Sequence, residues 1–270
     1  MRSNYATARP ELTGPELDAL VRAGMRSYLR YWCDSFRLPD LSVADLVQGV
    51  RAVGDTPIRD CLRSGRAAVV FSGHMGNWDL AAAWSTTQLA PVTTVVERLK
   101  PEELFEEFVA FRERLGMRIL PLTGGTDVFR ALTRVCRSGG LVAVLADRDL
   151  TRGGIEVDFC GQRTRMAIGP AALAVNTGAA LYPVTVHYER LPQGPGRRIV
   201  VTFHDAVPVP TRGTSREKIQ VMTQACADVL TGAVLTHTED WHMMQRVFVK
   251  DLVPSEGAGS SEGLARDGGS

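Results

Sequence analysis

Long apolar runs are missing from this 270-residue chain. None approaches the roughly 18 to 20 residues of a bilayer-crossing helix, and no cationic-then-apolar leader opens the sequence. Both absences argue against an integral span and point to the cytosol or the cytosolic face of a membrane. Lysine is scarce too: only Lys100, Lys218 and Lys250 stand among 31 basic residues, so the formal net charge of +1 rests on arginine. Arginine suits bidentate contact with phosphate or carboxylate, although a GC-rich coding bias accounts for most of it without any function. The five cysteines, Cys33, Cys61, Cys136, Cys160 and Cys226, are odd in number and show no C-x-x-C spacing. They argue against a disulfide framework or a cysteine zinc site, and for a reducing compartment.

Several chemical motifs are missing as well. No G-x-S-x-G elbow presents a serine nucleophile. Gly124-Gly125-Thr126 and Gly153-Gly154 complete neither a Walker nor a dinucleotide loop. His187, His204, His237 and His242 lack metal-ligand spacing and read as structural, so no metal is expected. No dense basic patch supports nucleic-acid binding.

What is present is 44% hydrophobic residues, enough for one full core. Polar residues 1–12 read as a flexible terminus, 13–253 as a single domain, and Gly- and Ser-rich 254–270 as a disordered tail. Thr13-Gly14-Pro15-Glu16 is a helix start. Apolar residues from Leu17 through Met25, Leu29 and Trp32 to Phe36 then recur at helical spacing, and we read a core-packing amphipathic helix rather than a lipid-facing one. Downstream, strands at 67–71, 92–96, 118–121, 141–145, 180–188 and 199–203 are separated by helices at 80–89, 101–115, 127–136, 170–177 and 215–236. Gly124-Gly125 makes a turn, and Cys160-Gly161-Gln162 tips a hairpin-like piece. Through 67–187 strand and helix alternate, which predicts an α/β fold with a mostly parallel central sheet flanked by helices.

The organising stretch is Val69 to Asp79, where an apolar strand ends at Ser72-Gly73-His74 and a helix follows. His74 thus stands at the carboxyl end of a strand, where open α/β sheets place their ligand crevice. His74 and Asp79, five apart, lie roughly 140° around a helix and cannot share a face if both are helical. They converge only if His74 sits in the turn and Asp79 in the first helical turn. The strand 141–145 also ends in charge, at Asp147-Arg148-Asp149. Either Asp79 or Asp147 would orient the imidazole of His74 as a general base towards a hydroxyl. An oxyanion would be held by backbone N–H groups of Gly73 to Gly76 or by Arg98.

The H-x-x-x-x-D box His74 to Asp79 resembles that of the glycerolipid and lipid A acyltransferase superfamily. Ala146-Asp147-Arg148-Asp149-Leu150, Val157 to Gly161, Arg165 to Ala171 and Glu239-Asp240-Trp241-His242-Met243 resemble, more specifically, the actinobacterial phosphatidylinositol mannoside acyltransferases. The likeness runs from about Ser27 to Leu252. It implies transfer of a fatty acyl chain such as palmitoyl from acyl-CoA, as co-substrate with no further cofactor, to a mannose hydroxyl of phosphatidylinositol mannoside. It further implies a peripheral protein at the cytoplasmic face of the cell membrane. His74 matches the family's base, Asp79 the acidic member of the box, and Asp147 a second carboxylate near the histidine. Arg98 and Arg112 lie where the family has arginines implicated at the site; Arg148 and Arg165 suit phosphates of CoA or lipid. Members usually carry a longer helical, membrane-associating N-terminal region, so a truncated start, or docking through what remains, is expected. Other glycolipid or lysophospholipid acceptors, and a lipid-binding relative without activity, are the alternatives.

Overall fold

The computed structural model describes residues 1–98, 100–122, 126–149, 153–194 and 196–252. In chain order its elements are α1 (Arg2–Ala8), α2 (Gly14–Arg37), α3 (Val43–Gln48), β1 (Val50–Val53), α4 (Thr56–Arg63), β2 (Ala68–Ser72), α5 (Trp78–Gln88), β3 (Val92–Glu97), α6 (Glu102–Arg114), β4 (Arg118–Leu122), α7 (Thr126–Arg137), β5 (Leu141–Leu145), β6 (Ile155–Phe159), β7 (Gln162–Met166), α8 (Gly169–Thr177), β8 (Ala180–Arg190), β9 (Arg197–Phe203), α9 (Ser215–Thr236) and α10 (Val249–Leu252). The turn expected at Gly124-Gly125 and the tail 254–270 lie outside the described residues.

Seven strands make one sheet in the order β1-β9-β8-β2-β5-β3-β4. Every neighbouring pair is parallel except β8 with β9. The sheet is therefore mixed but mostly parallel, as expected, and β6 with β7 forms a separate antiparallel hairpin. Its central strands are apolar throughout because helices cover both faces. All five residues of β2 are buried, and they divide by the two-residue period of a strand. Val69 and Phe71 join the core beneath α8 and α9, whereas Ala68 and Val70 join the core beneath α4 and α5. Each buried valine or phenylalanine is worth roughly 1.5 to 3 kcal/mol, so a one-residue slip of β2 would cost several kcal/mol.

Two expectations need correction. Residues 1–12 are not a loose terminus, because Tyr5 is 0% and Ala8 3% exposed in α1. The Asn4 amide donates to the carbonyls of Met243 and Gln245, and the Tyr5 hydroxyl to that of Trp241. These anchors lie more than 230 residues away and leave no periodic signal in a seven-residue helix. The helix α2, in turn, is amphipathic as expected but does not turn its whole apolar stripe inward. Leu17 and Tyr31 are buried, but Met25, Leu29 and Phe36 are exposed, Phe36 at 72%. Among the described residues no helix is long and apolar enough to cross a membrane.

Candidate active site

The site is assembled by strand register. β2 and β5 pair in parallel with Ser72 opposite Leu145, and the ladder continues one step as the Ala146 N–H donates to the Ser72 carbonyl at 2.8 Å. Two residues beyond each strand end, His74 therefore stands opposite Asp147. The His74 Nδ1 and Asp147 Oδ1 are 2.6 Å apart, and the other carboxylate oxygen accepts from the His74 backbone N–H at 2.9 Å and the Trp241 indole N–H at 3.1 Å. Gly73 permits this approach, since a Cβ there would sit 3.1 Å from the Asp147 carboxylate. Gly76 turns the chain at φ 55°, beside the Val186 backbone, where a Cβ would come within 2.9 Å.

Asp147 is 1% exposed. Burial pushes its carboxyl group up, but the His74 charge, the two His74 N–H donors and the indole outweigh it, and the group is held below the ordinary aspartate range. An ionised Asp147 can only accept, so the proton between the pair lies on Nδ1, and in the neutral form of the ring Nε2 carries the free lone pair. His74 Nε2 has no hydrogen-bond partner among the described residues, and the ring sits edge-on to Trp78 at 5.5 Å.

Asp79 does occupy the first turn of α5, behind the Asn77 cap that accepts from the Leu80 N–H. It does not face His74. Its oxygens take a bidentate grip from Arg112 at 2.7 and 3.0 Å and the Tyr31 hydroxyl at 2.8 Å. The carboxylate joined to the imidazole is thus Asp147, and Asp79 is tied to α6 and α2 instead.

A cavity of about 400 Å³ opens beside this pair, between the sheet and α5. It runs from His74, Glu97 and Arg148 at the carboxyl ends of the strands to Val92 and Leu141 at their starts. The length of β5 alone gives it about 13 Å, at ~3.3 Å per residue. Away from its polar end the lining is mostly aliphatic and aromatic, with Ser85 and Thr94 among it, which suits an alkyl chain. Arg112 and Arg148 line it; Arg148 also pairs with Glu97 at 3.0 Å, and its buried Nε has no partner among the described residues.

Arg98 and Arg165 do not line it. Arg98 is spent on Glu102, the first residue of α6, and Arg165 on its cross-strand neighbour Glu156 in the hairpin. Backbone oxyanion donors are also fewer than expected. The N–H groups of His74, Met75 and Gly76 donate to Asp147, Gly73 and Asp240.

The segment 240–242 is the part that sequence reasoning undervalued. The Trp241 indole bonds Asp147, while the His242 N–H donates to the His74 carbonyl at 2.7 Å. His242 lines the cavity. Elsewhere His237, Glu239 and Asp240 bring ligand atoms within 4.8 Å of one another and could hold a cation. The Asp240 oxygens, however, already bind Ser27 and the Tyr188 N–H, and none of the three lines the cavity.

A half-buried imidazole on a buried carboxylate, at the polar end of an apolar cavity above a mostly parallel sheet, suits a lipid acyltransferase. The chain belongs to the bacterial lipid A biosynthesis acyltransferase family, whose model matches residues 1–250. It is 41% identical over 253 residues to a phosphatidylinositol mannoside acyltransferase of Mycolicibacterium smegmatis, an overlap covering 93% of this chain and 80% of that protein. It is 40% identical over 244 residues to the protein of the same name from Mycobacterium tuberculosis, covering 89% and 74% respectively.

Proposed function

We propose that this acyltransferase moves a fatty acyl chain from acyl-CoA to a mannose hydroxyl of a phosphatidylinositol mannoside, working as a peripheral protein at the cytoplasmic face of the membrane. The observation that carries the reading is the His74–Asp147 pair at the polar end of the apolar cavity. Nε2 of His74 takes the hydroxyl proton as the oxygen attacks the thioester carbon. The tetrahedral intermediate collapses, the C–S bond breaks, and the imidazolium returns the proton to the CoA thiolate. Asp147 holds the tautomer and stabilises the imidazolium.

Arg148, whose buried Nε is unpartnered among the described residues, is the donor available for the developing oxyanion or for CoA phosphate. Arg112 lines the same cavity while paired with Asp79, and so orients the wall. The alkyl chain lies along β5 against Val92, Leu141 and Phe203. Exposed Met25, Leu29 and Phe36 on α2, with Leu104 and Met244, offer an apolar surface to the membrane.

The test is transfer of radiolabelled palmitoyl-CoA to purified phosphatidylinositol mannoside, with mass spectrometry of the product. His74→Ala should reduce the rate by about 10² to 10⁴ while circular dichroism shows the protein still folded. Near-normal transfer by that variant defeats the mechanism, and a wild-type product without mannose defeats the substrate assignment.

A further inference from the structure

His242 is a second histidine beside the first, and the mechanism above leaves it without a task. Its ring and that of His74 flank the same indole, at 6.0 and 5.5 Å from Trp78. Behind it runs a buried polar chain in which Asp240 accepts from the Tyr188 N–H at 2.7 Å and from the Ser27 hydroxyl at 2.5 Å. The Ser27 oxygen in turn lies 3.0 Å from His242 Nε2. With the serine proton directed at the carboxylate, Ser27 accepts from His242, so the proton of the ring is on Nε2 and Nδ1 is left as an acceptor. Nδ1 is buried and has no hydrogen-bond partner among the described residues. Burial, and secondarily the nearby His74, pushes His242 down to about 3, so the lone pair persists at neutral pH.

A buried acceptor left unmade costs a folded protein on the order of 1 to 3 kcal/mol, and a fixed relay that maintains one calls for a reason. An alkyl chain cannot satisfy it; a hydroxyl can. Around it Tyr28, Tyr31 and Trp78 present aromatic faces on the cavity wall, at the end where His74 stands. We infer that His242 anchors the acceptor: its Nδ1 accepts a hydrogen bond from a second hydroxyl of the sugar whose first hydroxyl is deprotonated by His74. This rests on the acceptor being a sugar lipid, and it makes His242 a residue that selects polyhydroxylated acceptors over simple alcohols.

Two substitutions separate this role from packing. His242→Gln keeps a donor near the Nε2 position for Ser27 and loses the Nδ1 acceptor; His242→Asn keeps an acceptor near Nδ1 and loses the contact with Ser27. Steady-state kinetics with phosphatidylinositol mannoside and palmitoyl-CoA, alongside thermal melts, should show the acceptor KM raised about tenfold in the Gln variant, which is one hydrogen bond's worth. The Asn variant should stay within about threefold of wild type, and the KM for palmitoyl-CoA should be unchanged in both. A wild-type-like Gln variant, an equal loss in both, or a loss confined to kcat overturns the assignment. If the wild-type protein acylates no mannolipid, the substrate reading fails and the assignment with it; if it does and the Gln variant matches it, only the assignment fails.

Discussion

Asp147 and Asp79 are buried on two sides of one turn, at 1% and 2% exposure, yet their partners differ in kind. Asp147 meets an imidazole and two N–H donors, whereas Asp79 meets a guanidinium and a phenol. Imidazole exchanges its proton near neutrality; guanidinium keeps its own throughout the working range. Burial and charge alone therefore do not mark the chemically active carboxylate. The partner's ability to take up and release a proton does, and on this ground we propose the Asp147 side as the reacting end; the Asp79 side is a brace that ties α5 to α6 and α2.

The largest effect should come from reversing the hydrogen-bond sense at the reacting end. Asp147→Asn keeps the shape but offers an N–H group where Nδ1–H now points, favouring the wrong tautomer of His74. Transfer should fall by about 10² to 10⁴ while circular dichroism and melting show a folded protein. A variant with near-normal turnover would remove the distinction between the two aspartates.

Next in size is the brace. Asp79→Asn leaves Arg112 charged and largely enclosed, and should cost about 3 to 5 kcal/mol in urea unfolding. The double variant Asp79→Asn/Arg112→Met should recover much of that stability, because the charge left without its partner is gone. If Asp79→Asn instead abolishes transfer with no loss of stability, Asp79 belongs to the chemistry and the comparison collapses.

Which aspartate pairs with His74 was only half legible in the sequence. Strand ends at Ser72 and Leu145, followed two residues on by His74 and Asp147, could be read from apolar runs and their charged borders. That β2 lies beside β5 could not, since β3 and β4 intervene in the chain and sheet order is set by packing of distant helices. The antiparallel turn of β8 to β9, the short β1 and the helix α1 were hidden for the same reason: their partners are remote. Arg98 and Arg165 are a different case. Glu156 faces Arg165 across the hairpin, a pairing that follows from strand register, whereas Arg98 precedes α6 and meets Glu102 at the first residue of that helix, a contact set by the connecting loop rather than by helical spacing. His242 could not be separated from the other histidines because its relay through Ser27 joins residues 215 positions apart.

The smallest effect tests whether the brace owes its strength to enclosure. Glu189 repeats the arrangement at the surface, where Arg51 grips it at 2.7 and 2.8 Å and Arg198 adds a contact at 2.6 Å. The Arg51 hydrogen bonds, with Arg198 helping, hold its carboxyl group at about 2. A carboxylate depressed from about 4.3 stabilises the fold above that unfolded value and loses the contribution as pH falls towards about 2. Its side chain is 26% exposed, so water screens the pair. Glu189→Gln should cost under about 1 kcal/mol at pH 7, far below Asp79→Asn, and the difference from wild type should shrink steadily between pH 4 and pH 3. A cost matching that of Asp79→Asn, or one that grows on acidification, would show that enclosure is not what separates the two ion pairs.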